Sequence, residues 1–403
     1  MIRQEGDDSL TKKDITVAEF ACERDGLTIR GKKFRNPDLV NQPAVILCHG
    51  FLADQTTLEF EAMQLAIWGF AAFTFDFCGG GLHTKSDGDT RDMSVLSEVE
   101  DLKQVLSFVK AQEYVRGGGV TFWGHSQGGF VAALAAAELG TDEVAGLILF
   151  YPAFSIPDDA RKGSMQAASF DPKAVPEEFS CGRMKLGAVY AVSAQKLDPW
   201  KEVVPYQGPV LILHGDSDGI VNVAYARRAV TEYNRGRSTI RDKAQLCILS
   251  GAGHGFHNRY QRMAAMEICR NFLHGRHCVL SFRTRRLSQE MVPDGLAYRC
   301  LRYPIEGDAV GPYFRGILDG GEERQDWNIL QLLHRGFRFR AVGTDCGGKS
   351  STVSVDIASN ELGKLPASVK TDSEALSFLS TARCYAALEY HPEGFVIRIF
   401  AQI

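Results

Sequence analysis

The stretch Gly124-His125-Ser126-Gln127-Gly128-Gly129 carries the residue types of nucleophilic catalysis. A β-rich run, Val120-Thr121-Phe122-Trp123, leads into it, and a small-residue helical run over 130–137 leads out. Strand, G-x-S-x-G turn and helix together hold a serine on a sharp, strained turn, with its Oγ lifted clear of a sheet. The N–H of Gln127 then points to where an oxyanion would form. A serine nucleophile needs a base, and the base needs an orienting acid. His254, in Gly251-Ala252-Gly253-His254-Gly255-Phe256, follows the last apolar run and is the expected base. Its rival, His257, already lies at the start of the next helix. For the acid, His214-Gly215-Asp216-Ser217-Asp218 offers two carboxylates, Asp216 and Asp218. The second oxyanion donor comes from His49-Gly50-Phe51, most simply as the N–H of Phe51. His125 and His214 sit in turns beside these groups and read as packing or hydrogen-bonding residues, and His49 as a brace for its loop.

These residues need a frame that ends several strands at one place. Residues 44–48 form a continuous apolar run that suits a strand buried on both faces of a parallel sheet, and 71–77, 120–123, 144–150, 209–213 and 244–250 read as further strands. Helical spacing separates them over 58–68, 93–109, Val223–Tyr233 and Arg259–Leu273. Residues 14–34 read as two further strands around a turn at Asp25-Gly26. The alternation predicts a mostly parallel sheet covered by helices on both faces. One interval breaks it. Residues 155 to about 205, rich in Pro, Asp, Lys and Ser, are too long for a simple connection. They read as a lid inserted over the carboxyl ends of the strands, where ligands bind in open α/β sheets.

At 403 residues the chain is long enough for two domains. Its 45% hydrophobic and 23% charged residues are those of an ordinary globular protein, and a net charge of -4 favours neither nucleic acid nor an anionic membrane as partner. Residues 1–8 lack the apolar core of a secretory signal, and no apolar run approaches a membrane span. The ten cysteines form no C-x-x-C pair or metal-ligand spacing. The expectation is a reduced, cytoplasmic enzyme with no metal and no organic cofactor.

With these pieces in order, the chain resembles the α/β-hydrolase superfamily and, within it, the bacterial cinnamoyl (feruloyl) esterases. The resemblance covers about residues 15–275. It rests on His49-Gly50-Phe51, Phe75-Asp76-Phe77 with Ser86-Asp87-Gly88, the Ser126 motif, Asp218-Gly219-Ile220-Val221 and Gly253-His254. The family pattern H-G-x-x-D-x-x-V selects Asp218 as the acid. The resemblance also implies that the lid places Asp159, Gln166 and Tyr190 around the 4-hydroxyl of ferulate, caffeate or p-coumarate. The loop Cys78-Gly79-Gly80-Gly81-Leu82-His83-Thr84 departs from the commoner asparagine-glycine-histidine-glycine form. The expected activity is serine-dependent hydrolysis of a small phenolic ester through an acyl-enzyme. A broader serine hydrolase (thioesterase, acyltransferase or short-chain carboxylesterase) is the alternative. The lid discriminates between them, since an acyl-chain enzyme has no use for three polar residues around a phenol.

The hydrolase pattern spans 1–276, and residues 277–403 are extra. There Phe337, Phe339 and Ala341 alternate with Arg338 and Arg340, and Val353, Val355 and Ile357 with Ser354 and Asp356. Period two with Gly-rich turns predicts an all-β barrel or sandwich. Asp345, Asp356 and Arg340 could line a ligand pocket, but the favoured reading is a solvated strand face. Homo-oligomerisation and substrate capture are both open roles for this domain. A reading of another class makes it a small-molecule-binding or assembly module on a hydrolase scaffold, against which the complete serine, histidine and acid set argues.

Overall fold

Two five-residue strands buried along their whole length lie side by side at the centre of the sheet. A computed structural model describes residues 11–402 except 166, 238–242, 294–297, 312–313, 329–331, 359–364 and 392–393. The chain divides into two compact units, one running to Phe256 and the other spanning His257–Ile403.

In the first unit, β1 (Thr16–Arg24) and β2 (Leu27–Arg35) form a hairpin whose turn residues Asp25 and Gly26 both take positive φ, 50° and 82°. That is the two-residue turn matching the twist of antiparallel strands. Next come β3 (Ala44–Cys48), α1 (Glu59–Ile67), β4 (Ala71–Phe75), α2 (Val95–Lys110), β5 (Val120–His125), α3 (Gln127–Leu139) and β6 (Val144–Phe150). All residues of β3 and β4 are buried. A lid segment then intervenes: α4 (Ile156–Lys162), the short pairs β7 (Ser164–Met165) with β8 (Ala168–Ser169) and β9 (Glu178–Cys181) with β10 (Met184–Gly187), then α5 (Ala188–Lys196) and α6 (Pro199–Glu202). The sheet resumes with β11 (Val210–Gly215), α7 (Val223–Tyr233) and β12 (Gln245–Leu249).

The strand order is β1-β2-β4-β3-β5-β6-β11-β12. Strands β1 and β2 are antiparallel and β4 onward are parallel. Parallel strands put their carboxyl ends at one edge, so the loops after β3, β5, β6, β11 and β12 converge there. Helix α2 buries Val95, Val99, Leu102, Val105, Leu106 and Val109, together with two carboxylates, Glu98 and Asp101. Asp101 accepts from Arg24 Nε at 2.6 Å and from the Cys78 amide at 2.8 Å, which ties the departing loop Cys78-Gly79-Gly80-Gly81 to the first strand.

The second unit begins with α8 (Arg259–Leu273), which packs on two strands of a barrel, β13 (Arg276–Arg286) and β20 (Arg383–His391). The other strands are β14 (Glu290–Pro293), β15 (Tyr298–Val310), β16 (Phe314–Asn328), β17 (Leu332–Asp345), β18 (Ser350–Ala358), β19 (Pro366–Thr371) and β21 (Gly394–Gln402). Strand β13 pairs with both β21 and β15, which closes a ring of eight antiparallel strands with β14 outside it. Register shifts at Pro304/Asp308 and Leu318/Gly321, beside Gly307 and Gly320 at positive φ, supply the bends that closure needs. Phe337, Phe339, Ala341, Val353, Val355 and Ile357 are buried. Arg338, Arg340 and Asp356 are exposed, but Asp345 is not on a solvated face. Its buried carboxylate accepts from the Gly347 and Lys349 amides and from the Ser351 and Ser373 hydroxyls, anchoring the turn after β17. Glu323, fully buried, is held by Arg286 and Arg335.

All ten cysteines are free. Among the described residues no helix is long and apolar enough to cross a membrane.

Candidate active site

Strand β5 ends in a turn that few residues tolerate. Ser126 has φ 51° and ψ −116°, a strained backbone for a residue with a Cβ. The turn fits because its neighbours are glycines. A Cβ on Gly128 would lie 2.3 Å from the carbonyl oxygen of His49, and one on Gly50 would lie 3.2 Å from Ser126 Cβ. The loop after β3 is thereby pressed against the serine turn. Gly128→Ala is expected to lower stability by about 3 kcal/mol, because both close atoms, His49 O and Cys48 O, are backbone. Thermal unfolding checks this, and an unchanged Tm would contradict the close approach.

The fold brings together three residues that lie far apart in the sequence. His254 Nε2 lies 3.1 Å from Ser126 Oγ, and His254 Nδ1 lies 2.8 Å from Asp218 Oδ2. With Nδ1–H donated to the carboxylate, Nε2 is free to accept the serine proton. The Asp218 side chain is fully buried and also accepts from the amides of Ile220 and Val221, at 2.8 and 2.9 Å. His214 Nε2 stands 3.2 Å from Asp218 Oδ2 and 2.9 Å from the Val221 carbonyl. Burial opposes ionisation of Asp218, but the hydrogen bonds from His214, His254 and the two amides outweigh it and hold the carboxyl well below the usual range. Asp216, by contrast, is exposed and caps the Gly251 amide at 2.6 Å. His257 is exposed just before Asn258, the N-cap of α8.

Two backbone donors flank Ser126. Gln127 opens α3, where the first N–H groups have no intrahelical partner. Phe51 lies in the loop braced by Gly50. Among the described residues neither amide has a protein acceptor. The loop is set by His49, which burial keeps neutral despite the hydrogen bond to Gly50 and the nearby carboxylates. Its Nδ1–H donates to Gly50 O at 2.9 Å, and its Nε2 accepts from the Phe77 amide at 3.3 Å. His125 is likewise structural: Trp123 Nε1–H donates to its Nε2 at 3.0 Å, leaving Nδ1 against the Tyr151 hydroxyl at 3.2 Å.

Two of the three lid residues lie within the described chain. Tyr190, on α5, is buried, with its ring 5.8 Å from that of Phe51. Asp159, on α4, is half-buried, and burial pushes its carboxyl up against the pull of the Ser155 hydrogen bond. Helices α4 and α5 pack on each other, and the Asp159 charge is felt at Tyr190. Its neighbour Asp158 is spent on Arg161 and the Tyr225 hydroxyl. Gln166 lies outside the described residues.

The sequence reading missed two residues. Tyr151 has φ 39° and sets its ring 4.4 Å from that of His254, fixing the imidazole from the side. That conformation comes from tertiary packing, and no local signal announces it. Glu98 is almost fully buried and accepts from Gln127 Nε2 at 2.8 Å, while Tyr190 donates to Gln127 Oε1 at 2.5 Å. Here a signal existed: Glu98 stands three residues after Val95 and four before Leu102, a carboxylate in an apolar stripe.

The chain is similar to several known proteins. The family described as serine aminopeptidase, S33, matches residues 41–180. A polyketide transferase (ATR5) of Stachybotrys chlorohalonatus is 31% identical over 133 residues, 32% of this chain and 41% of that protein. An uncharacterised 31.7 kDa protein of Escherichia coli is 34% identical over 107 residues, 26% of this chain and 36% of that protein. The chain thus spans about two fifths of the length of the curated relatives it matches. Among solved structures, Est1E from Butyrivibrio proteoclasticus with ferulic acid bound superposes with a TM-score of 0.54 at 26% identity, over 64% of this chain and 98% of that one. DcsB in complex with a substrate analogue gives 0.52 at 18% identity, over 64% and 100%. The first unit has the α/β-hydrolase fold, with a separate β-barrel beyond it, and the matches support a hydrolase.

Proposed function

We propose that this chain is a carboxylic-ester hydrolase for small hydroxycinnamate esters, with Ser126 as nucleophile, His254 as general base and acid, and Asp218 as the orienting carboxylate. The observation that carries the reading is the unbroken chain Ser126 Oγ–His254–Asp218, 3.1 and 2.8 Å long, with Tyr190 hydrogen-bonded to the neighbouring Gln127. The likeness to a structure that holds ferulic acid supports the substrate class.

In the first step the Ser126 Oγ–H proton passes to His254 Nε2 as Oγ bonds to the ester carbon. The carbonyl π electrons move onto oxygen, facing the N–H groups of Phe51 and Gln127. The imidazolium is stabilised by ionised Asp218 and returns its proton to the leaving alkoxide as the ester C–O bond breaks. Water then attacks the hydroxycinnamoyl-serine by the same exchange, releasing the acid and restoring Ser126. A flat aromatic acid fits an apolar slot with polar groups at its far end, and Phe51, Tyr190 and Asp159 provide such a set.

A second reading has one observation in its favour, the partial match to a polyketide transferase. The same acyl-enzyme could be resolved by an alcohol or thiol in place of water.

The test is hydrolysis of methyl ferulate and chlorogenate against p-nitrophenyl acetate, with Tyr190→Phe beside wild type. Cinnamates should be preferred, and Tyr190→Phe should lower kcat/KM about tenfold or more for the phenolic esters while sparing the acetate. Cleavage of the acetate alone, unaffected by Tyr190→Phe, would remove the hydroxycinnamate reading and leave a general serine hydrolase.

A further inference from the structure

The triad uses neither Glu98 nor the side chain of Gln127, yet both are buried and joined to the lid. A primary amide is directional: its NH₂ only donates and its oxygen only accepts. Glu98, on α2, takes the donor end at 2.8 Å. The oxygen end therefore faces Tyr190, whose hydroxyl must donate to it, at 2.5 Å. A phenol hydroxyl has one proton, so once that is committed its oxygen can only accept.

We propose that Glu98 is a positioning residue for substrate choice: by fixing the sense of the Gln127 amide it makes the Tyr190 oxygen an acceptor, and so selects esters whose ring carries a hydrogen-bond donor. This rests on the hydroxycinnamate reading above. A ring bearing a free 4-hydroxyl donates to that oxygen. A ring bearing an acceptor or an apolar atom there leaves the buried Tyr190 oxygen without a donor, which is the strongest basis on which a binding site discriminates. The arrangement also ties specificity to chemistry, because the backbone N–H of the same Gln127 faces the developing oxyanion.

The experiment compares methyl p-coumarate with methyl 4-fluorocinnamate, which removes the donor at nearly constant size. Both are measured on one enzyme preparation, so any loss of folded or active fraction cancels in the ratio of kcat/KM values. Wild type is expected to favour the coumarate at least tenfold, mostly through KM. Glu98→Met keeps the size but removes the acceptor, freeing the amide to turn, and the ratio should fall to within about threefold of unity. Gln127→Met breaks the relay at its middle and should have the same effect. It carries the test if Glu98→Met does not accumulate as folded protein. A wild-type ratio near one, or a full wild-type ratio in these variants, overturns the role of Glu98 while leaving the esterase reading intact. Cleavage of p-nitrophenyl acetate with neither cinnamate accepted overturns the esterase reading itself, and the inference with it.

Discussion

Ser126→Ala is expected to lower kcat on methyl ferulate by about 10⁶-fold, with His254→Ala costing about as much and the double variant no more than either. The equality follows from the geometry. Ser126 Oγ is a weak nucleophile until a base takes its proton, and His254 Nε2 is the nitrogen within reach, at 3.1 Å. Removing either group leaves the other without a partner. What survives comes from the two amides and from binding, so the losses cannot add. His257→Ala serves as the control and should leave the rate within about twofold of wild type, since His257 is exposed at the entry to α8. Initial rates for the four variants decide the matter. A double variant much slower than both single ones would mean that Ser126 and His254 act in separate steps. A fall in His257→Ala to the level of His254→Ala would move the base. The alanine at 126 keeps a Cβ at φ 51°, so the strain of the turn persists and the loss is chemical rather than conformational.

The parts of this site that were legible in the sequence are those set locally. Gly124 and Gly128 around Ser126, between an apolar strand run and a small-residue helix, specify the sharp turn without help from distant residues. The uninterrupted apolar run 44–48 reads as a doubly covered strand, and it is buried throughout, while 144–150 is buried except at Ala145. The alternation of Phe337, Phe339 and Ala341 with two arginines predicted a barrel or sandwich wall, and the buried and exposed sets follow it. What escaped is set by contacts between distant residues. The closure of β13 on β15 depends on bulges that no periodicity records. Asp345 looks like a surface aspartate until the Ser373 hydroxyl, 28 residues away, binds it. The positive φ of Tyr151 arises where β6 ends against His254. Glu98 is the instructive case between these limits. Its place in an apolar stripe was visible, but only the fold shows that the partner is Gln127, beside the nucleophile, and that Tyr190 completes the chain.

Asp218→Asn should lower kcat by about 10⁴-fold while leaving the backbone of its turn in place. An asparagine oxygen can still accept from the Ile220 and Val221 amides, as Asp218 Oδ1 does at 2.8 and 2.9 Å. The other end of the side chain changes from acceptor to donor. His254 Nδ1, now 2.8 Å from Oδ2, would face an NH₂ and accept from it, which moves the imidazole proton to Nε2. That nitrogen then donates toward Ser126 and cannot take its proton. Asp216→Asn is the control, because Asp216 caps the Gly251 amide at the surface and should cost less than about twofold. Stability carries an independent signature. The Asp218 carboxyl ionises more readily folded than unfolded, despite burial, through the hydrogen bonds from His214, His254 and two amides. Ionisation therefore adds stability that is fully present above the unfolded value of about 3.9 and lost as pH falls through the lower folded value. Wild type should lose stability below about pH 4 more steeply than Asp218→Asn, so that the gap in Tm between them narrows with acidification. A gap that widens instead would mean that the carboxylate is strained in the fold, and that its hydrogen bonds do not offset its burial.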